Sequence, residues 1–502
     1  MASNRLDSAP PRSSDTPCIP GSSGTSGTSG TSDSVASGVA SGDLSPELLA
    51  RYAGPCPRYT SYPTADRFTP LHANRELLAA NGSGKPWEAL RDVSSLSLYV
   101  HIPFCRSLCY FCACNKVITQ QYGLASSYLE RVLAEAQWYR ERVARVPVTQ
   151  LHLGGGTPTY LNDGDLTRLV RGLGEVFDLR PGEDVEYSVE ADPRVLELET
   201  LDTLQTLGFN RLSMGIQDFN PEVQRAINRI CTPQQVRTLT DAARARGFGS
   251  ISYDLIYGLP GQDVQSLERT IDKVIELAPD RIALYHYAHL PHRFKAQRLI
   301  DSDLIPSPQA KIDMQLAATQ RLTNAGYRFL GMDHFSRPED PLAAAADDGR
   351  LARNFQGYTL MPADALIGLG ASAISYSRDG YWQNHHGQKE YATAIAERGE
   401  AICRGWSLDD DDRVRQWLIM ELMCHLRVEK RALELRTNTP FGQYFAADLA
   451  RLRPLIADGL IRESEQDLVV TERGRWFLRN IAAAFDRHLH TGESAAQYSR
   501  VL

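Results

Sequence analysis

Nowhere in the 502 residues do apolar side chains run together for the roughly 18 positions of a membrane helix, so no membrane partner is expected. Positive charge is not in excess either. Against 61 Asp and Glu stand 54 Lys and Arg, a net charge of −7, which lacks the basic face of a nucleic-acid binder. The nine cysteines are odd in number, and Cys18, Cys56, Cys231, Cys403 and Cys424 are scattered along the chain. A secreted disulfide scaffold spreads its cysteines through a much shorter sequence, so a reducing cytoplasm is the expected location. Apolar residues at 42 % and charged residues at 23 % are those of an ordinary globular protein. The length allows two to four domains, large enough to bury a core without cross-links.

What is present is concentrated. Cys105, Cys109, Cys112 and Cys114 fall within ten residues, spaced C-x3-C-x2-C-x-C. They follow Leu98-Tyr99-Val100-His101-Ile102-Pro103-Phe104, which reads as a β-strand. Packing does not require four thiols on one loop, so the loop is expected to hold something.

Residues 1–45 are rich in Ser, Gly and Thr, with the repeat Gly24-Thr25-Ser26-Gly27-Thr28-Ser29-Gly30-Thr31-Ser32. Such a segment buries too little apolar surface to offset its ordering entropy, so disorder is expected. Arg5 and Arg12 among serines suggest a transit peptide, but Asp7, Asp15 and the lack of an amphipathic pattern oppose it. Residues 46–95 read as a segment covering the active site. Residues 96–300 then alternate strand and helix six times, with strands near Leu96–Ile102, Thr149–Leu153, Val185–Val189, Arg211–Ile216, Ser250–Ile256 and Arg281–Tyr287. That pattern predicts an α/β fold, a parallel sheet with right-handed crossovers. Six strands are too few to close an eight-stranded barrel, so a partial (β/α)6 barrel is expected. Residues 301–400 read as an α/β extension completing it, with a helix from Pro308 to Ala325 and one strand-like run from Tyr327 to Phe335. Residues 401–502 read as a helical, winged-helix-like domain with a hairpin at Leu460 to Thr471. With no basic recognition helix, it is expected to pack as a lid.

The unusual residues share one position in this pattern. The cysteine loop, Gly154-Gly155-Gly156, Glu190, Gln217 and Ala288 all stand at or just past the carboxyl ends of successive strands. Active sites of parallel barrels gather at that face, where loops from different strands converge. Three groups compete for the thiols. Structural zinc uses paired C-x2–4-C elements or cysteine with histidine. Ferredoxin-type clusters use four cysteines, one of them distant. The third is a four-iron cluster on three cysteines of one loop, with one iron open, for which C-x3-C-x2-C after the first strand is the spacing of radical S-adenosylmethionine (SAM) enzymes. An open iron would chelate the amine and carboxylate of SAM. The glycines would then let backbone approach its charged head, with Glu190, Gln217, Arg229 and Asp254 as polar partners.

Further motifs narrow the resemblance. Tyr99-Val100-His101-Ile102-Pro103-Phe104-Cys105, Gly154-Gly155-Gly156-Thr157-Pro158-Thr159, Asn210-Arg211-Leu212-Ser213-Met214-Gly215-Ile216-Gln217-Asp218-Phe219 and Asp254-Leu255-Ile256-Tyr257-Gly258-Leu259-Pro260 are four of them. Tyr287-Ala288-His289-Leu290-Pro291, Gly331-Met332-Asp333-His334-Phe335 and Arg353-Asn354-Phe355-Gln356-Gly357-Tyr358 are three more. Together they resemble the oxygen-independent coproporphyrinogen III oxidases (dehydrogenases) of anaerobic haem synthesis, from about residue 50 to the carboxyl terminus.

The resemblance implies one [4Fe–4S] cluster on Cys105, Cys109 and Cys112, with Cys114 a family mark rather than a ligand. It implies two SAM molecules. The first would touch Tyr99, Gly155, Glu190 and Ile374, with Tyr99 and Glu190 as catalytic residues. The second would touch Phe111, Gly156, Thr157, Gln217, Arg229, Asp254 and Ala288, while Phe355 and Gln356 would line the site near the substrate. The implied reaction begins with reductive cleavage of SAM to a 5′-deoxyadenosyl radical. Loss of a β-hydrogen, an electron and CO2 then turns two propionates of coproporphyrinogen III into vinyl groups, giving protoporphyrinogen IX. A low-potential donor such as a flavodoxin or ferredoxin and a monomeric state follow from the same resemblance. Arg58, Arg211 and Arg293 are candidate cations for the substrate carboxylates. A haem-binding chaperone of the same superfamily and another tetrapyrrole-acting radical enzyme are the alternatives. The C-x-C extension and the carboxyl-terminal domain favour the oxidase over the chaperone.

Overall fold

Along the six strands, side chains alternate between apolar and polar, which is unusual for parallel strands covered on both faces. Leu98, Val100 and Ile102, Leu151 and Leu153, Leu212, Met214 and Ile216 point one way into the main core. Gln150 and His152, Ser188 and Glu190, Ser213, Asp254 and Tyr285 point the other way into a shared lumen. A sheet with an apolar outer face and a polar inner one must carry helices outside and curl around its polar side. This is the half-barrel that the computed structural model contains. Its described residues are 44–52, 54–71, 85–182, 184–490 and 498. Most of the Ser/Gly/Thr-rich stretch and the last four residues therefore lie outside them.

The six strands are β1 (Leu96–Ile102), β2 (Pro147–Gly155), β3 (Glu186–Ala191), β4 (Arg211–Gln217), β5 (Ser250–Tyr257) and β6 (Arg281–His286). They lie parallel in sequence order. Neither edge closes on the other. Beyond β6 lie β7 (Arg328–Gly331) and β8 (His334–Ser336), with β8 antiparallel to β6. The strand-like run from Tyr327 to Phe335 is thus a hairpin, turning at Met332 with φ +54°. At the other edge β9 (Ala365–Leu369) runs parallel to β1 and leads into β10 (Ile374–Ser377), β11 (Gly380–Asn384) and β12 (Ile402–Ser407). The glycine-rich run around Gly368 and Gly370 hides a strand. Glycine lowers strand propensity, but a side chain at Gly368 would stand 2.5 Å from the Ile374 carbonyl of the adjacent strand.

Outside the barrel, helices Gly123–Tyr139, Asp163–Gly174, Leu198–Thr206, Pro233–Ala245 and Val264–Leu277 complete one continuous core. Several start at side-chain caps: Asn162 accepts from the Asp165 N–H, and Thr232 with Gln235 forms a capping box. A second core joins Leu418, Leu422, Phe441, Phe445 and Phe477 to Leu48, Tyr59 and Tyr62 from the amino-terminal stretch. The chain then forms a 3-10 turn Gly474–Phe477, a short helix Leu478–Ala483 and a second 3-10 turn Arg487–Leu489. Among the described residues no helix is long and apolar enough to cross a membrane.

Candidate active site

Every carboxyl end from β1 to β6 contributes to one face. After β1 the chain forms a small bridge in which Phe104–Cys105 pairs with Val117–Ile118, and this closes the cysteine loop at its base. Gln297, almost wholly buried, ties the top of the loop to β6: its Nε2 donates to the carbonyls of Phe111 at 3.0 Å and Ala288 at 3.2 Å. Asn228 donates to the Leu108 carbonyl at 2.7 Å, and the Tyr110 N–H donates to Ile227 at 3.0 Å. The loop is therefore held from three sides.

Protein packs closely against all three glycines. A Cβ on Gly154 would stand 2.9 Å from the Glu190 carboxylate, and one on Gly155 2.7 Å from the His101 ring. On Gly156 it would stand 2.5 Å from the Pro103 carbonyl. Their missing side chains make room for the root of the cysteine loop and for Glu190, so the tight approach is protein against protein. Gly155 also has φ +117°, and its N–H donates to Glu190 Oε2 at 3.1 Å.

Tyr99, His152 and Glu190 form a row across the adjacent strands β1 to β3, and Asp254 follows on β5, beyond Ser213 of β4. Tyr99 stacks on His152 with centroids 5.8 Å apart, and its hydroxyl meets His101 Nδ1 at 3.0 Å. His152 Nε2 lies 3.1 Å from Glu190 Oε1. The Glu190 side chain is 43 % open to the lumen yet enclosed by protein. Burial opposes its charge, but His152 and the Gly155 N–H prevail and hold its carboxyl below the usual value. Asp254 shows the reverse balance. Burial and the neighbouring Glu190 charge push it up to about 7, against one hydrogen bond from Ser213 at 3.2 Å.

The thiols differ as well. Cys105 receives the Thr157 hydroxyl at 3.5 Å, but burial pushes it up to about 11. Cys112 is drawn toward its thiolate, first by the neighbouring Cys114 thiol and then by the Lys116 ammonium, and Cys114 is pushed the opposite way. Cys109 is buried, and two guanidinium groups aim at its sulfur: Arg194 Nη2 at 3.3 Å and Arg229 Nη1 at 3.5 Å. Among the described residues no three His, Cys, Asp or Glu side chains close round a single metal ion. Three thiols converging from one loop, with cationic and hydroxyl donors aimed at sulfur, fit a larger anionic group, and the [4Fe–4S] cluster with SAM at its open side suits that donor set.

The remaining expected residues divide. Gln217 ends β4 with φ +71° beside a bulge, and Arg229 donates to the Gly215 carbonyl and to Asp192. Ile374, at the start of β10, and Phe355 pack in part against Phe68 and Tyr381. Gln356 lines the lumen, a cavity of about 120 Å³, together with Glu190 and Asp254. Arg58 is engaged by Asp333 at 2.5 Å, Arg211 by Glu186, and Arg293 lies 5.5 Å over the Phe294 ring. Sequence reasoning missed His101, His152, Asp192 and Arg194. His152 lies two residues before Gly154 and thus on the lumen side of β2, a period-2 signal that was there to read.

Comparison with known proteins agrees with this geometry. The Radical SAM superfamily matches residues 99–274, and the HemN C-terminal domain matches residues 408–477. The oxygen-independent coproporphyrinogen III oxidase of Salmonella typhimurium is 46 % identical over 91 % of this chain and 98 % of its own length. The enzyme of the same name from Pseudomonas aeruginosa is 44 % identical over the same shares. The solved structure of coproporphyrinogen III oxidase (HemN) from Escherichia coli, described as a radical SAM enzyme, superposes with a TM-score of 0.82. It is 44 % identical and covers 88 % of this chain and 98 % of that one. By likeness along nearly all of their length, in sequence and in fold, this chain belongs to the oxygen-independent coproporphyrinogen III oxidases of the radical SAM superfamily.

Proposed function

We propose that this protein decarboxylates two propionate side chains of coproporphyrinogen III to vinyl groups, giving protoporphyrinogen IX in oxygen-independent haem synthesis. The observation that carries the reading is the junction of the Cys105–Cys109–Cys112 loop with the Tyr99–His152–Glu190 row: His101 bonds both Tyr99 and the Asn115 carbonyl, and Thr157 donates to Cys105. When bound, the cluster and SAM supply the reducing electron and the hydrogen-abstracting carbon radical that an unactivated C–H bond demands.

The chain's own residues hold and orient. Cys105, Cys109 and Cys112 would hold the cluster. Glu190, fixed in its charged form by His152 and the Gly155 N–H, would take the amine of the first SAM, beside Tyr99 and Ile374. Gln217, Arg229 and Asp254, with Phe111, Gly156, Thr157 and Ala288, would hold a second. Gln356 lines the lumen and Phe355 a neighbouring cavity that shares Ser97 and Gln150 with it, where a bulky substrate would lie. A low-potential flavodoxin- or ferredoxin-like donor, a monomeric state and a cytoplasmic location complete the proposal.

Anaerobic reconstitution with SAM, a reductant and coproporphyrinogen III tests it, and the divinyl product is expected. SAM cleavage with all four propionates retained would defeat the reading. Stoichiometric haem binding without turnover would put a chaperone in its place.

A further inference from the structure

Of the three thiols on the loop, Cys109 stands in a distinct electrostatic setting. Arg194 lies just past β3, in Asp192-Pro193-Arg194, and its guanidinium is pinned at every nitrogen. Nε donates to both Asp192 oxygens at 3.0 and 3.1 Å, and Nη1 donates to the Asn228 carbonyl at 3.1 Å. Nη2 reaches Asp192 Oδ2 at 2.6 Å and Cys109 Sγ at 3.3 Å. Arg229 shares the same carboxylate, with Nη1 3.0 Å from Asp192 Oδ2 and 3.5 Å from Cys109 Sγ. Side-chain exposure is 16 % for Arg194, 9 % for Arg229 and 8 % for Asp192. Two cations thus share one anion, and a single positive charge is left over beside one sulfur, away from water. Cys105 has only the weaker hydroxyl of Thr157 at its sulfur, and Cys112 has one cation nearby, the part-exposed Lys116 ammonium, which also bonds to the carbonyls of Cys112 and Cys114 at 2.9 and 3.4 Å.

We propose that Arg194, oriented by Asp192, raises the reduction potential of the iron–sulfur cluster through its N–H bond to Cys109. The inference rests on the cluster assignment above and deepens it. One-electron reduction by the external donor adds negative charge to the cluster and its thiolates. An N–H donor and a net positive charge at a ligand sulfur stabilise the reduced form more than the oxidised one, and burial strengthens the effect. Hydrogen bonds around a metal centre tune it in this way. Asp192 opposes the effect by its charge while holding Arg194 in place. Arg194 is therefore a positioning and tuning residue, whereas Arg229, assigned to SAM, is left unaltered in the test.

The test is an EPR-monitored redox titration of the reconstituted enzyme without SAM, with iron and sulfide content measured alongside. Arg194→Leu is expected to keep its cluster, with the reduced-to-oxidised ratio at the wild-type midpoint falling about tenfold, ~59 mV for a one-electron couple. Arg194→Lys is expected to recover part of that shift. Asp192→Asn is expected to move the midpoint the other way, which mere loosening of the loop would not do. Intact clusters with unchanged midpoints, or shifts of one sign in both Arg194→Leu and Asp192→Asn, overturn the inference. If Arg194→Leu loses its cluster, the opposed shifts of Arg194→Lys and Asp192→Asn decide it. Wild-type protein that takes up no iron overturns the cluster assignment itself.

Discussion

At the amino end of the barrel the buried charges close on one another. Arg281 meets Asp340 at 2.7 Å, with 8 % and 1 % of the two side chains exposed, and Arg211 meets Glu186. At the carboxyl end Asp192 also closes on Arg194 and Arg229, but both guanidiniums still reach past it to the sulfur of Cys109. Glu190 and Asp254 share one lumen, and burial first and the Glu190 charge second push Asp254 toward neutrality. A region whose charges pair with one another holds the fold. A region that assembles like charges and aims donors at sulfur is left for something else to complete. Charged side chains are buried at both ends, so burial alone does not mark a site; what distinguishes the ends is where the partners come from.

Cysteine replacement breaks the comparison most completely. Cys109→Ser should abolish the cluster's visible absorption after reconstitution, while Cys114→Ser, whose thiol touches Cys112, should retain most of it. Loss in both would refute the three-ligand assignment. Next in size is the amino end. Arg281→Leu strands a buried carboxylate and should cost about 3–5 kcal/mol in denaturant unfolding, with iron content per folded molecule unchanged. Gly156→Ala should cost about 1–3 kcal/mol, because its Cβ meets the Pro103 backbone 2.5 Å away. It should also lower cluster content, since the loop root is what shifts.

The smallest effect is a pH dependence. The Asp254 carboxyl is raised to about 7 in the folded chain, above its unfolded value. The stability it contributes is therefore fully present below about pH 4 and is lost as pH rises through 7. SAM binding that uses the carboxylate should strengthen about tenfold from pH 6 to pH 8. Asp254→Asn should flatten both profiles. An unchanged binding profile in that variant would remove Asp254 from the site.

The cysteine spacing, the six strands and the polar residues at their carboxyl ends were legible because each is a local pattern: a spacing, a period of two, a residue before a turn. The strand Ala365–Leu369 was not, since its glycines mimic a loop until β1 and β10 pack beside it. Tyr327–Phe335 read as one strand because an apolar run carries no sign of the turn at Met332. Arg194 was invisible for another reason. It lies 85 residues from Cys109 along the chain, and no motif joins them.

By itself the sequence determined the chemistry on offer: three thiols on a loop after the first strand, and a polar lumen, since alternation requires only neighbours along the chain. The tertiary structure alone decided how those groups are charged. Which carboxyl keeps its proton and which sulfur faces a guanidinium depend on distances of about 3 Å between distant segments. The glycines make the same point. Their sequence signature speaks of close approach, and only the fold shows that the cysteine loop and Glu190 are seated against them.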